Sequence, residues 1–543
     1  MRDSYLAQNP DRNTTALSDF AGLAALPVCF AVLSWYLRDH AGPFWQWNLL
    51  DPSYFYLLDS LNLLNGNPPG HIYHPGITVH TFGALLIKLR LLVVGGVVGD
   101  VLTDPEIYLR WLSNGYIALN AISLALVGVV ARRVFGNLLP ALVCQLAPFM
   151  STIVVKHAFL PKPEAMLVAV TLALIALALA AFQDGLAPRS RDRLAICFGL
   201  LGGFVGATKL TAVPVMVLPL FVLRGWRPFM IYAAISALAF AVFFVPAHGK
   251  EMAFIEYLGR VATTTGPHGS GAKGMILADV YFSSIGQILK RPSLKVSLIL
   301  SLLTLLICFI GRHRGARVAL GEVWMLIGVN AAQLAQAMMV AKQPTAFYMI
   351  PSYMLAAISI LLSVRLIWSM RPERWRVPFD PAIAGALAFA IFVAAQTAGV
   401  ERLVNEMSHL RDEARQSDPE KFKVCARIYV YAASTPVYAM FLANYVTDKN
   451  FSRQLAQKFP ANDFWINDWW EWEPTRLEDW RGERNFTEVR AAYPCMYVRG
   501  ARPGAVEKYL ADQPGGTAGF DFSCKAGIEK IAVLGVDCQG HLL

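Results

Sequence analysis

The amino-acid sequence predicts a helical, multi-span membrane domain over residues 19–400 and a small α/β domain over residues 401–543. Three observations carry this. Charged residues are only 16% of the 543, and apolar residues are 55%, against roughly 25% charged in an ordinary soluble domain. The mean hydropathy of +0.44 is too high for one soluble core, and the apolar residues fall in runs of about 20, the length that crosses a bilayer as a helix. After Gly399 the composition turns polar and tryptophan-rich, with short strand-like runs between helical ones.

The expected spans are 19–37, 110–131, 138–160, 164–183, 194–209, 211–223, 228–247, 294–311, 318–341, 349–369 and 381–400. The first follows a polar segment, residues 1–18, without a small-residue cleavage site, so it reads as a retained span. Arginines mark every second connection: Arg132 and Arg133; Arg189, Arg191 and Arg193; Arg224 and Arg227; Arg312, Arg314 and Arg317; Arg371, Arg374 and Arg376. The positive-inside rule puts these in the cytoplasm, with the N-terminus. The C-terminal domain is then outside. The net charge of +10 is dispersed in these clusters, which excludes the continuous basic stripe of a nucleic-acid binder. The apolar stretch from Ile77 to Val98 would break the alternation if it spanned, and it carries Lys88 and Arg90. It is read as a re-entrant or interfacial helix, which leaves about eleven spans. The long outer loops are 38–108 and 248–293, the second with a glycine-rich centre, Gly266-Pro-His-Gly-Ser-Gly-Ala-Lys-Gly274.

In the C-terminal domain, Ile428-Tyr-Val-Tyr-Ala-Ala433, Phe464-Trp-Ile-Asn467, Met496-Tyr-Val-Arg499 and Lys530-Ile-Ala-Val-Leu534 read as strands. Pro436 to Phe459 and Val506 to Ala511 read as helices. Cys425, Cys495, Cys524 and Cys538 lie here, an even number in an exported domain, so two disulfides are expected in one of three pairings. Zinc lacks its C-x-x-C spacing, and free buried thiols are the bland alternative. Cys29, Cys144, Cys197 and Cys308 fall in apolar spans, where cysteine acts as a small hydrophobe. Trp465, Trp469, Trp470, Trp472 and Trp480 read as a small core before they read as sugar-stacking platforms. Asn13, Asn450 and Asn485 stand in glycosylation sequons.

Several polar residues have no role in crossing a membrane. Asp51 precedes Pro52 and an amphipathic run, where a helix N-cap belongs; the functional alternative is a general base at the bilayer surface. Asp59, two helical turns on, reads as a solvated or supporting residue. His71, His74 and His80 bracket a Pro-Gly turn; no metal site is assigned to them, and phosphate contact by His74 competes with a structural role. Lys209 and Lys342 are isolated cations on the expected outer face. Snorkelling could place them there without a ligand, but ionisable groups at span ends usually mark function. Arg110 is comparable. Glu164 sits close in sequence to Lys156, His157 and Lys162, in either an ion cluster or a substrate site, and Tyr348 is either an anchor or a contact.

These residues come in an order that resembles the GT-C glycosyltransferases, with the protein O-mannosyltransferases and the lipid A aminoarabinose transferase as the nearest in pattern. The correspondence runs through Asp51, His74-Pro75-Gly76, Arg110-Trp-Leu-Ser113, the stretch ending Ala131-Arg-Arg-Val-Phe-Gly136, Lys156 to Glu164, Gly206-Ala-Thr-Lys209 and Lys342 to Pro351. It covers about residues 15–370. The departures are a missing Glu after Asp51, Gly76 where the family has a second proline, and Phe347 where it has arginine. The resemblance implies a polyprenyl-phosphate sugar as donor, an acceptor hydroxyl on a glycan, lipid or protein, and direct displacement with inversion. Asp51 would be the base. His74, Arg110, Lys209, Lys342, Tyr348, His157 and Glu164 would bind the lipid phosphate and sugar. His268 and Lys273 would sit in a lid. The bilayer is an expected partner and nucleic acid is not. No cofactor is assigned, although a carboxylate pair such as Asp51 and Asp59 could hold a divalent cation. Two other classes compete: a lipid or amphiphile transporter, for which the expected internal repeat is not visible, and a scaffold with an exported binding domain.

Overall fold

The computed structural model describes residues 12–46, 53–73, 75–181, 187–370, 381–416, 419–466, 477–502, 504–527 and 529–543. Proline punctuates the helices. Pro105, Pro163, Pro188, Pro292, Pro381 and Pro436 each open one, because a missing N–H costs nothing at the first helical position and a fixed φ is already helical there. Among the described residues eight helices are long and apolar enough to cross a membrane: Ala21–Ala41, Ile77–Val94, Pro105–Phe135, Pro163–Ala181, Trp226–Ala247, Pro292–His313, Leu320–Val340 and Ala346–Met370. The chain is a multi-pass helical membrane protein with a C-terminal sheet domain.

Two expected spans are not single helices. Residues 138–160 break into Leu138–Gln145, a 3-10 turn Ala147–Met150 and Thr152–His157. Pro148 sits in the turn, and Ser151, extended, caps the next helix by accepting from Ile153 N. Residues 211–223 form a 3-10 stretch, Leu210–Val217, containing Pro214, and a short helix, Leu218–Val222. The run 194–209 lies in the helix Pro188–Thr208, whose first turns hold Arg189, Arg191, Asp192 and Arg193. The last expected span lies in a helix running from Pro381 to Gln416.

By contacts the chain divides into two units. One runs to Trp35, takes in Tyr73–Thr78 and continues Asn114–Gly399; the other holds Tyr36–Ile72, Val79–Ser113 and Val400–Leu543. In the first, the helices Pro188–Thr208 and Trp226–Phe244 pack through a stripe of Gly199, Gly202, Gly203 and Gly206. A Cβ on Gly203 would sit 2.4 Å from the backbone N of Phe240. Gly203→Ala is therefore expected to destabilise by roughly 1–3 kcal/mol, as overpacking does, readable as a lower melting temperature in detergent.

In the second unit, Arg90 explains how an apolar helix carries a cation. Its guanidinium lies 5.3 Å from the ring centre of Tyr108 and 5.6 Å from that of Trp111. The outward residues of the same helix, Leu85, Leu89, Leu92 and Val93, are exposed.

The described residues of the C-terminal domain contain a seven-stranded sheet: β1 Ala426–Val430, β2 Asp463–Ile466, β3 Leu477–Asp479, β4 Gly482–Arg484, β5 Met496–Gly500, β6 Lys525–Ala526 and β7 Glu529–Leu534, in order β4-β3-β2-β1-β5-β7-β6. β2, β1 and β5 are parallel, and the edges are antiparallel. One face is apolar. Ile428, Phe464, Ile466 and Val498 pack there on Phe486, Val489, Val506 and Leu510 from two helices. The other face alternates into Arg427, Tyr429, Asp463 and Arg499, with Arg427 paired to Asp463 and Arg499 to Glu529. The expected helix from Pro436 to Phe459 is instead two, Pro436–Val446 and Ser452–Lys458, parted where Asp448 and Lys449 adopt positive φ. Asn485 caps a helix, Phe486–Ala492, that the sequence reading omitted. Trp465 stacks on Phe441 at 4.2 Å and Trp480 on Phe459 at 5.4 Å, a core cluster as expected. Trp469, Trp470 and Trp472 lie outside the described residues.

The disulfides are Cys425–Cys495 and Cys524–Cys538. The first ties the start of β1 to the start of β5 across 70 residues of sequence, the second closes only 14. The double variant Cys425→Ser/Cys495→Ser is expected to lose about 2–5 kcal/mol and more than its Cys524/Cys538 counterpart, because the longer loop frees more unfolded-state entropy. Thermal melts of the two double variants compare them directly.

Candidate functional site

In the first unit the chain builds a buried cluster from four segments. The break at Ser151 delivers Thr152–His157 to a tight turn, where Pro161-Lys162-Pro163 leads into the helix that starts at Pro163. Glu164 thus stands in that helix's first turn, where the dipole favours an anion. Lys209 is the extended residue between the helix Pro188–Thr208 and the 3-10 stretch after it. Its ammonium forms an ion pair with the Glu164 carboxylate, and both side chains are almost wholly buried. Lys162 is fully buried, and it too acts on Glu164. The cluster therefore places two ammonium groups around one carboxylate.

Aromatic rings cover it. The Lys209 ammonium lies 4.4 Å from the Tyr348 ring centre and 5.6 Å from that of Phe347; Lys162 lies 5.1 Å from Phe347. His157, buried, packs on Phe347 at 4.9 Å. Phe347 stands where the resemblance expects arginine; here an aromatic face serves two cations instead. The segment after His74 docks on the same corner: Pro75 bridges to Lys209, Gly76 N donates to Thr208 O at 3.1 Å, and the Thr78 and Thr208 hydroxyls are 2.7 Å apart. Gly76 has φ +71°, which proline cannot adopt, so the departure from a double proline follows from the turn.

Lys342 does not join this cluster. Its ammonium donates to Val261 O and to Thr264 O (2.5 Å), fastening the carbonyl end of the helix Glu251–Thr263. His268 Nε2 accepts from Gln343 Nε2 at 2.5 Å, and the same Gln343 nitrogen lies 3.2 Å from the Tyr348 hydroxyl. The glycine-rich loop is a small hairpin, with Lys273 exposed opposite Thr264 and Gly274 N bonded to Thr263 O. Lys162, Phe347 and Thr208 were not singled out as binding residues in the sequence. Lys162 had entered only as a sequence neighbour of Glu164, and Phe347 only as a departure from the family pattern.

In the second unit, Arg110 makes a half-exposed ion pair with Asp39 at 3.3 Å, a contact of little energetic weight. Asp51 and His74 lie outside the described residues. The helix Tyr54–Leu64 has Ser53 at its cap position. Asp59 is not solvated. It is fully buried, accepting from Asn62 Nδ2 (3.0 Å), Gly70 N (2.8 Å) and His71 N (2.9 Å). Burial pushes its carboxyl up to about 7 against the pull of those donors. His71 and His80 complete a buried trio with it, their ligand atoms all within 4.8 Å of one another. Asn450 donates to Asn62 Oδ1 at 3.1 Å. Above the polar face of the sheet lies a cavity of about 480 Å³ lined by Trp45, Arg427, Tyr429, Thr435, Asp463 and Arg499, among others.

No protein-family model and no curated protein matches the chain. Among solved structures it is similar to the crystal structure of ArnT from Cupriavidus metallidurans bound to undecaprenyl phosphate, at 12% identity and a TM-score of 0.44, over 94% of this chain and 97% of that one.

Proposed function

We propose that this protein is an integral membrane glycosyltransferase of the GT-C kind, moving a sugar from a polyprenyl-phosphate donor to an acceptor hydroxyl on the extracytoplasmic face. The observation that carries the reading is the buried cluster of Lys209 and Lys162 around Glu164, roofed by Phe347 and Tyr348. Two desolvated ammonium groups sharing one carboxylate leave a positive site at the ends of apolar helices, and such charge in a membrane domain usually serves a ligand. An anionic lipid phosphate matches it, since lysine is a compact point charge for phosphate. Those ammonium groups favour the phosphate more as it takes on charge in leaving, which is where fixed charge accelerates a reaction. His74, next to the segment docked on Lys209, is the second contact. Asp51 takes the acceptor proton, and the sugar transfers by direct displacement with inversion.

Lys342 and His268 order the loop beside Tyr348 in this reading. The arginine alternation supports a cytoplasmic N-terminus, an exported C-terminal domain and, since a crossing there would break the alternation, a helix Ile77–Val94 laid along the bilayer surface although it is long and apolar enough to span. The cavity over the sheet, with its arginines, carboxylates and aromatic rings, supports the C-terminal domain as the place where a polar acceptor docks. Incubating the purified protein with a polyprenyl-phosphate sugar tests the reading. Free polyprenyl phosphate should appear with time and should increase when acceptor is added. Release that requires no sugar-linked lipid, or none at all across sugars and acceptors, overturns it.

A further inference from the structure

Asp59, His71 and His80 come from three successive segments: the helix Tyr54–Leu64, the loop after it, and the helix Ile77–Val94. All three side chains are buried, at 0%, 4% and 0% exposure. His80 is the informative one. Both of its ring nitrogens are buried without a hydrogen-bond partner, and buried imidazole nitrogens are ordinarily satisfied. Its nearest anion is Asp59, with His80 Nε2 3.6 Å from Asp59 Oδ2. That is too long for a hydrogen bond. It is close to the separation of two donors on one tetrahedral ion, about 3.4 Å for metal–ligand bonds of about 2.1 Å. The rest of the trio falls within 4.8 Å. Phe55 and Tyr56 wall the rings, at 5.3 Å and 5.7 Å from His71 and, for Tyr56, 5.5 Å from His80.

We propose that Asp59, His71 and His80 bind a divalent transition-metal ion, zinc by the chemistry of the donors, which staples the first outer loop. Two imidazoles and one carboxylate suit zinc and its neighbours, whereas magnesium and calcium call for oxygen ligands. Three protein donors leave a further position for water. Asn62 and the amides of Gly70 and His71 already orient the carboxylate, as outer hydrogen bonds do around metal ligands. The ion would join both ends of the segment that carries His74. The proposal stands on these residues alone and does not depend on the reaction.

The test uses the full-length protein purified through a tag without histidines. Elemental analysis should find equimolar zinc. After stripping with a chelator, Co²⁺ titration should give a visible ligand-field spectrum that Zn²⁺ abolishes, and Zn²⁺ should raise the melting temperature of the stripped protein. His80→Gln and Asp59→Asn should lose the stoichiometric metal and the spectrum. Stripped wild-type protein that binds no Co²⁺ and gains no stability from Zn²⁺ overturns the proposal, and so does a folded His80→Gln variant that retains equimolar metal. Neither readout involves transfer, so a failed glycosyltransferase assay leaves this result standing.

Discussion

Asp51→Asn is expected to lower sugar transfer by about 10²- to 10⁴-fold, the usual contribution of a positioned general base, while the protein accumulates in membranes as the wild type does. The acceptor is a hydroxyl, and an amide of the same shape cannot take its proton. The substitution also separates the two readings of this position. If Asp51 served only to cap the helix that follows, asparagine would cap as well, and activity would persist. Initial rates of lipid-phosphate release in membranes of matched expression decide it. Full transfer by Asp51→Asn would remove Asp51 from the reaction.

Local patterns were legible in the sequence and remote pairings were not. Apolar runs of helical length announce themselves one residue after another, and β1, β2, β5 and β7 are rich enough in aromatic and β-branched residues to be seen within a few residues of their ends. β3 and β4 did not show, because Leu477–Asp479 and Gly482–Arg484 are three residues each and hold Glu478, Glu483 and Arg484. The break at Asp448 and Lys449, both at positive φ, carried only a weak signal: Asp448 and Asn450 are residue types that favour turns, but the helical pattern on either side outweighed them. Proline did mark the breaks at Pro148 and Pro214, but the apolar run continued through them and outweighed it. Of the two readings of Asp59, solvated or supporting, the solvated one failed and the supporting one fits: its carboxylate is buried, and the amides that hold it belong to Gly70 and His71, beyond that helix. The Glu164–Lys209 contact joins residues 45 apart. Sequence proximity suggested Lys156, His157 and Lys162 instead, and of these Lys162 shares the site and His157 packs on Phe347, which covers it.

The buried pair offers the second large effect. Removing one partner of a buried ion pair costs about 3–5 kcal/mol, because the other charge is left desolvated, whereas replacing both by neutral groups of similar size is often close to neutral. The two single variants should differ. Glu164→Gln leaves Lys209 and Lys162 facing each other without their carboxylate, while Lys209→Met leaves Glu164 still beside Lys162. The melting temperature in detergent should therefore fall further for Glu164→Gln than for Lys209→Met. The double variant Glu164→Gln/Lys209→Met should recover only part of the loss, since it removes the repulsion between Lys209 and Lys162 but leaves Lys162 buried without its carboxylate. Transfer should not recover with it, since the double variant has lost Lys209, one of the two cations offered to the departing phosphate. Polyprenyl phosphate, binding the folded state, should raise the melting temperature of the wild type and raise that of the double variant less. A stable double variant that transfers sugar at the wild-type rate would make the pair a structural device alone. Partly restored stability without restored transfer would separate what Lys209 does for the fold from what it does for the lipid phosphate.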